Sequence, residues 1–164
     1  LFAYDWLIEN HPDLRPIVSG RSLGAAVATF LAKERNVEGL LLFSPMTNVV
    51  DIIKYIFPPD EIVIEDALPF RFDTMSLVED IRCPVFLAHG RSDSVAPYAM
   101  SRIIELAIKT DVTRHDIIGA GHNDLIAVGG DELWECIDRF LDKLRGRRKR
   151  SSANGHHYLN GSSR

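Results

Sequence analysis

A chain of 164 residues, 46% hydrophobic and 26% charged, is long enough for one domain with a packed core and has the make-up of an ordinary globular protein. That excludes disorder, collagen and coiled coil as descriptions of the whole. From Gly146 onward the chain carries Arg147, Arg148, Lys149, Arg150 and Arg164 and no acid, so this end is +5, which leaves −9 for the rest of a −4 total. An acidic body speaks against nucleic-acid binding by the folded part.

Leu1 to Asn10 predicts the end of an amphipathic or buried helix, broken by the two prolines of HPDLRP. IVSG then predicts a short buried strand, and Leu23 to Glu34 an alanine-rich helix. Residues 39 to 45, GLLLFSP, are a continuous apolar run bounded by Gly39 and Pro45, the pattern of a strand covered on both faces. Met46 to Phe72, divided by Pro58, Pro59 and Pro69, predicts an irregular insertion, read either as a small cap or as a surface excursion with a short helix.

TMSLVEDI predicts a short helix with Thr74 as its N-cap, and PVFLAHG another buried strand. Pro97 to Lys109 predicts a helix and TRHDIIGAGH a short strand. After a Gly129–Gly130 loop, Asp131 to Leu144 predicts an amphipathic helix, with Leu133, Trp134, Ile137, Phe140, Leu141 and Leu144 on one broad face. The alternation predicts an α/β domain over residues 1–145, with a mostly parallel sheet, flanking helices and a cap-like insertion at about 46–72. Residues 146–164 predict a basic, Ser/Gly-rich disordered tail.

No apolar run is long enough to cross a bilayer and no charged segment with an apolar core precedes a cleavage site. The chain opens at Leu1 inside a helical pattern, so it reads as a fragment or trimmed domain. Cys83 and Cys136 show no CxxC spacing, which predicts free buried thiols in a reducing compartment.

Gly20, Ser22 and Gly24 form a Gly-x-Ser-x-Gly pattern, a cheap match by itself. Its placement between a buried strand and a helix gives it weight. A turn that tight lifts a serine above the sheet at strained dihedrals, so small flanks are expected at Gly20 and Gly24, with Ala25 and Ala26 bringing the helix close. There the Leu23 N–H can donate to a negative oxygen, aided by the helix dipole.

A serine hydroxyl needs a base to take its proton and a carboxylate to orient that base. The strand PVFLAHG runs into RSDSVAP, placing Asp93 in the following loop, and the next strand runs into GAGHNDL, placing His122 in the loop after it. Parallel strands share one carboxyl edge, so Ser22, Asp93 and His122 are predicted to meet there. Their order along the chain, Ser then Asp then His, is that of the α/β-hydrolases.

GRSLGAAVA, SPMT, CPVFLAHGRSDSVAP and GAGHNDL together resemble the α/β-hydrolase superfamily, and within it the intracellular α/β-hydrolase-domain (ABHD) subgroup that contains protein depalmitoylases. The resemblance covers roughly residues 1 to 145, matching the C-terminal part of that domain. It implies Ser22 as nucleophile, His122 as general base and then acid, Asp93 as the carboxylate on the imidazole, and Leu23 N–H as one oxyanion donor. The family's second donor comes from a loop after an early strand that this chain does not hold, so a fragment incomplete for catalysis is one expectation.

The resulting expectation is a serine hydrolase of the carboxylesterase or thioesterase kind, acting on a small acyl ester or thioester or an acylated protein. A non-catalytic binding or scaffold protein on the same fold is the alternative. No cofactor and no metal is expected, nor nucleic acid as a partner. The location expected is cytoplasmic, and the basic tail leaves open peripheral contact with an anionic membrane.

Other polar residues compete for roles. Asp124 could serve as the carboxylate but reads better as an N-cap. His89, before the glycine of the HG turn, reads as structural, and His115 as exposed at a strand start. His156 and His157 have no spaced third ligand.

Overall fold

The computed structural model describes residues 1–57 and 70–155, the last turn of the C-terminal helix as backbone only. Most of the expected insertion, and the chain beyond residue 155 with His156 and His157, lie outside the described residues.

Ten elements follow in order: α1 (Phe2–Asn10), β1 (Ile17–Arg21), α2 (Leu23–Glu34), β2 (Gly39–Phe43), α3 (Val49–Ile56), α4 (Met75–Val78), β3 (Val85–Gly90), α5 (Tyr98–Ala107), β4 (Val112–Ile117) and α6 (Leu125–Gly155). The four strands form one sheet in the order β1-β2-β3-β4, every pair parallel. Each strand therefore ends at the same edge, and each returns through a crossover that contains helix.

Strands β2 and β3 are buried at every position, as their unbroken apolar runs require. Their side chains alternate between two cores. Leu40, Leu42, Val85 and Leu87 face α2, α4 and α5 through Ala25, Ala28, Val78 and Ile104. Leu41, Phe43, Phe86 and Ala88 face α6 through Leu125, Leu133, Ile137, Phe140 and Leu144. The layers are helix, sheet, helix. On α2 the buried residues are Ala25, Ala26, Ala28, Thr29 and Ala32, a face small enough to bring the helix backbone down onto the sheet.

Four expectations need correcting. β1 is not a buried strand: Ile17 and Ser19 are exposed, because β1 pairs on one side only among the described residues. Helix α1 buries no residue; it is held by the Tyr4 hydroxyl donating to Asn36 O at 2.6 Å and by the Arg35–Asp5 ion pair. Thr74 precedes α4 but its side chain caps nothing. Asp73 does so instead, its Oδ1 accepting from Ser76 N at 3.0 Å, while the Thr74 hydroxyl is buried.

The helix expected from Asp131 follows the break at Gly130 (φ 47°, ψ −143°), and a further turn of helix from Leu125 runs up to that break, the two together forming α6. Its backbone stays helical to Gly155, well into the segment expected to be disordered. Arg and Lys are good helix formers, and Arg147 pairs with Asp111, so charge alone does not end the helix. Among the described residues no helix is long and apolar enough to cross a membrane.

Candidate active site

β1 ends at Arg21 and α2 begins at Leu23, so Ser22 alone makes the connection. It takes φ 52° and ψ −121°, a conformation that costs a residue with a β-carbon about 1–3 kcal/mol. The surroundings enforce it. Ser22 N–H donates to Phe43 O at 2.9 Å, continuing the sheet. A Cβ on Gly20 would lie 2.2 Å from Gly24 O and 2.7 Å from Ala28 Cβ, so the helix can return over the strand only above a glycine. A Cβ on Gly24 would meet nothing within 4 Å. The steric demand expected of both glycines falls on Gly20.

The two other strand ends reach the same place. Ser22 Oγ lies 3.0 Å from His122 Nε2, and His122 Nδ1 lies 2.8 Å from Asp93 Oδ2. The Asp93 side chain is fully buried and that of His122 is 10% exposed. Asp93 Oδ1 accepts from Val95 N at 2.9 Å and Ala96 N at 2.8 Å, which leaves Oδ2 for the imidazole. A carboxylate only accepts, so Nδ1–H donates to it and the Nε2 lone pair faces the serine hydroxyl. Leu23 is the first residue of α2, and its N–H is one of the helix-start donors with no carbonyl inside the helix to bond.

The loops are tied to one another. Ser92 N donates to Ala120 O at 2.9 Å and Arg91 N to Ile117 O at 3.0 Å. A Cβ on Gly90 would lie 2.3 Å from Ala120 O, so the Asp93 and His122 loops touch over that glycine. The Arg21 guanidinium donates to the His122 carbonyl and approaches Asn123 Oδ1 at 3.5 Å, joining the serine turn to the histidine loop. Sequence reasoning missed this tether: its acceptor is a backbone carbonyl, which no side-chain pattern marks.

The competing residues go elsewhere. Asp124 Oδ1 accepts from Gly121 N at 2.7 Å and locks the turn behind His122 rather than capping α6 forward. His115 is half-buried within β4, not exposed at its start, with Nδ1 3.5 Å from Cys136 Sγ. Both thiols are free, Cys83 buried and Cys136 half-buried. His89 is fully buried beneath the Asp93 loop. Among the described residues no cluster of His, Cys, Asp and Glu is arranged to hold a metal ion.

No protein-family model matches the chain. An uncharacterized protein of Mycobacterium tuberculosis is 30% identical over 145 residues, 85% of this chain and 50% of that protein. The lysophosphatidylserine lipase ABHD12 of Macaca fascicularis is 28% identical over 118 residues, 62% of this chain and 30% of the lipase. The α/β hydrolase domain-containing protein aho-3 of Caenorhabditis elegans is 28% identical over 135 residues, covering 82% and 36% of the two chains. Among solved structures, the monoacylglycerol lipase of Paleococcus ferrophilus superposes with a TM-score of 0.64 at 22% identity, over 87% of this chain and 74% of the lipase.

The chain has the α/β-hydrolase fold and is similar in sequence to α/β-hydrolase domain proteins. It covers part of that fold and spans about half the length, or less, of the curated relatives it matches. In α/β-hydrolase terms the Ser22 turn is the sharp strand-to-helix connection of the fold, and the order Ser22, Asp93, His122 along the chain is the superfamily's order.

Proposed function

We propose that this α/β-hydrolase chain carries the catalytic triad of a serine hydrolase that cleaves acyl esters or thioesters. The observation that carries the reading is the relay Ser22 Oγ–His122 Nε2 at 3.0 Å and His122 Nδ1–Asp93 Oδ2 at 2.8 Å, at one edge of a parallel sheet.

In the proposed reaction His122 Nε2 takes the Ser22 proton as Oγ attacks the acyl carbon. Asp93 holds the imidazole in the tautomer that can accept and stabilises the imidazolium that forms. The Leu23 N–H donates to the oxygen that becomes negative. His122 then protonates the departing alkoxide or thiolate, and water, deprotonated by the same nitrogen, releases the acyl group from Ser22.

The names of the Macaca fascicularis relative and the Paleococcus ferrophilus structure, lipases of lysophosphatidylserine and monoacylglycerol, support a lipid-like acyl group. S-acylated protein belongs to the same chemical class. Peripheral membrane contact through the basic C-terminal end is consistent with such a substrate, and liposome binding that weakens with salt would support it.

A fluorophosphonate probe applied to the full-length protein tests the reading. Labelling that Ser22→Ala abolishes supports it. Labelling that survives Ser22→Ala overturns it, and no labelling of the native protein leaves the non-catalytic binding protein in its place.

A further inference from the structure

Directly beneath the Asp93 loop lies an imidazole that the proposed relay does not use. His89 is the next-to-last residue of β3 and is 0% exposed. Its Nε2 is 2.9 Å from Ala96 O and 3.4 Å from Asp93 Oδ2, the same oxygen that accepts from His122. Ala96 O is an acceptor only, so Nε2 carries the proton and donates it there, with Asp93 Oδ2 beside the bond as a nearby negative charge. Nδ1 is then bare, and it has no partner among the described residues.

Packing does not explain a histidine in this place. A buried polar atom without a partner costs about 1–3 kcal/mol, and a leucine of similar volume would fill the space without that penalty. What a leucine lacks is the donor. The Asp93–Ala96 loop closes on itself through Asp93 Oδ1, which accepts from Val95 N and Ala96 N. Those two bonds hold the carboxylate to Val95 and Ala96, so its place under His122 depends on where the loop itself sits. The Nε2–H of His89 holds the Ala96 carbonyl of that loop.

We propose that His89 is a positioning residue: it pins the Asp93 loop through its hydrogen bond to Ala96 O, with Asp93 Oδ2 3.4 Å from the same nitrogen, and so keeps the carboxylate in line with His122. This rests on the triad reading above. Neutrality suits the role, because an imidazolium at this point would draw the carboxylate away from His122. Burial holds the His89 ring below the ordinary histidine range, against the Ala96 hydrogen bond and the Asp93 charge, with Arg114 and His122 opposing a second positive charge. The Tyr98 ring stands edge-on at 6.0 Å and closes the side facing α5.

The test compares His89→Leu, which removes the donor, with His89→Gln, whose amide N–H falls near the position of Nε2, in the full-length protein. His89→Leu is expected to lower kcat for ester hydrolysis about 10- to 100-fold with KM within about twofold, as expected for misplacement of a catalytic group. The acid limb of its pH–rate profile moves to lower pH, since a displaced carboxylate stabilises the His122 imidazolium less. His89→Gln restores most of kcat and the native limb. If His89→Leu does not fold, His89→Asn takes its place, because its shorter amide cannot reach Ala96 O.

Wild-type kcat and pH limb in His89→Leu overturn the proposal, as does an equal loss in both variants that tracks their melting temperatures. Should the native protein fail to label with fluorophosphonate, the triad reading fails first. The downfield Nδ1–H resonance of His122 then decides the positioning role: weakened in His89→Leu and kept in His89→Gln supports it, and unchanged in both overturns it.

Discussion

A serine held at φ 52° and ψ −121° gives up about 1–3 kcal/mol of backbone energy, and one glycine makes room for it. Because a Cβ on Gly20 would run into Gly24 O and Ala28 Cβ, Gly20→Ala is expected to destabilise the fold by about 3 kcal/mol or more, as backbone overpacking does. Gly24→Ala meets no neighbour and sits in a helix, where alanine is favoured by about 1 kcal/mol. Urea unfolding of the two variants checks the contrast; equal losses would show that the tight approach lies elsewhere. Asp93 divides its two oxygens between its own loop and His122. Asparagine keeps the loop bonds but favours the wrong imidazole tautomer, so Asp93→Asn is expected to leave the near-UV circular dichroism unchanged and lower turnover by about 10⁴-fold. Unchanged turnover would move the carboxylate's role away from Asp93, with Asp124 the next candidate.

Secondary structure shows the same division between what neighbouring residues determine and what the sheet decides. Cys83, in the turn before β3, is buried, and burial pushes its thiol up to about 11. Cys136 on α6 is half-buried, with Arg139 Nη2 donating to its sulfur at 2.8 Å. Iodoacetamide at about pH 8 is expected to alkylate Cys136 in the native protein and to reach Cys83 only on unfolding, since the thiolate is the reactive form. Mass spectrometry of tryptic peptides reads the outcome, and equal native rates would contradict it. The apolar runs of β2 and β3 were legible because central strands are covered on both faces. β1 was misread as buried because IVSG does not reveal that it pairs on one side among the described residues. Asp73 and Thr74 are both capping residues in the sequence, and only the burial of the Thr74 hydroxyl decides between them. Ser22, Asp93 and His122 could be placed because strand ends are local features and a parallel sheet gathers them. Arg21 and His89 could not be given their contacts, because each bonds a backbone carbonyl, which every residue offers.

The sheet brings residues 22, 93 and 122 together above a buried imidazole, His89, whose hold on a proton the fold weakens, and this links the whole molecule's stability to pH. In the unfolded chain His89 has the ordinary value of 6.5; in the fold, burial lowers it, more than the Ala96 bond and the Asp93 charge restore. Below about pH 6.5 the unfolded chain therefore binds that proton more readily than the folded chain does. Stability is complete above that value and falls as pH drops through it, by at most about 1.4 kcal/mol per pH unit for one proton. The carboxylates act in a different window. Asp5, bonded by Arg35, and Asp80, bonded by Lys33, lie below their ordinary 3.8, so what they contribute is present above 3.8 and lost only in stronger acid. The interval from about pH 6.5 to 5 thus lies above the window of these two carboxylates, and comparison with a His89 variant picks out the part due to His89. Urea unfolding at the two ends of that interval is expected to show a clear loss in the native protein and a smaller one in His89→Gln, whose side chain does not titrate. Identical losses in the two would mean that another group takes up the proton and that the folded chain does not hold His89 neutral.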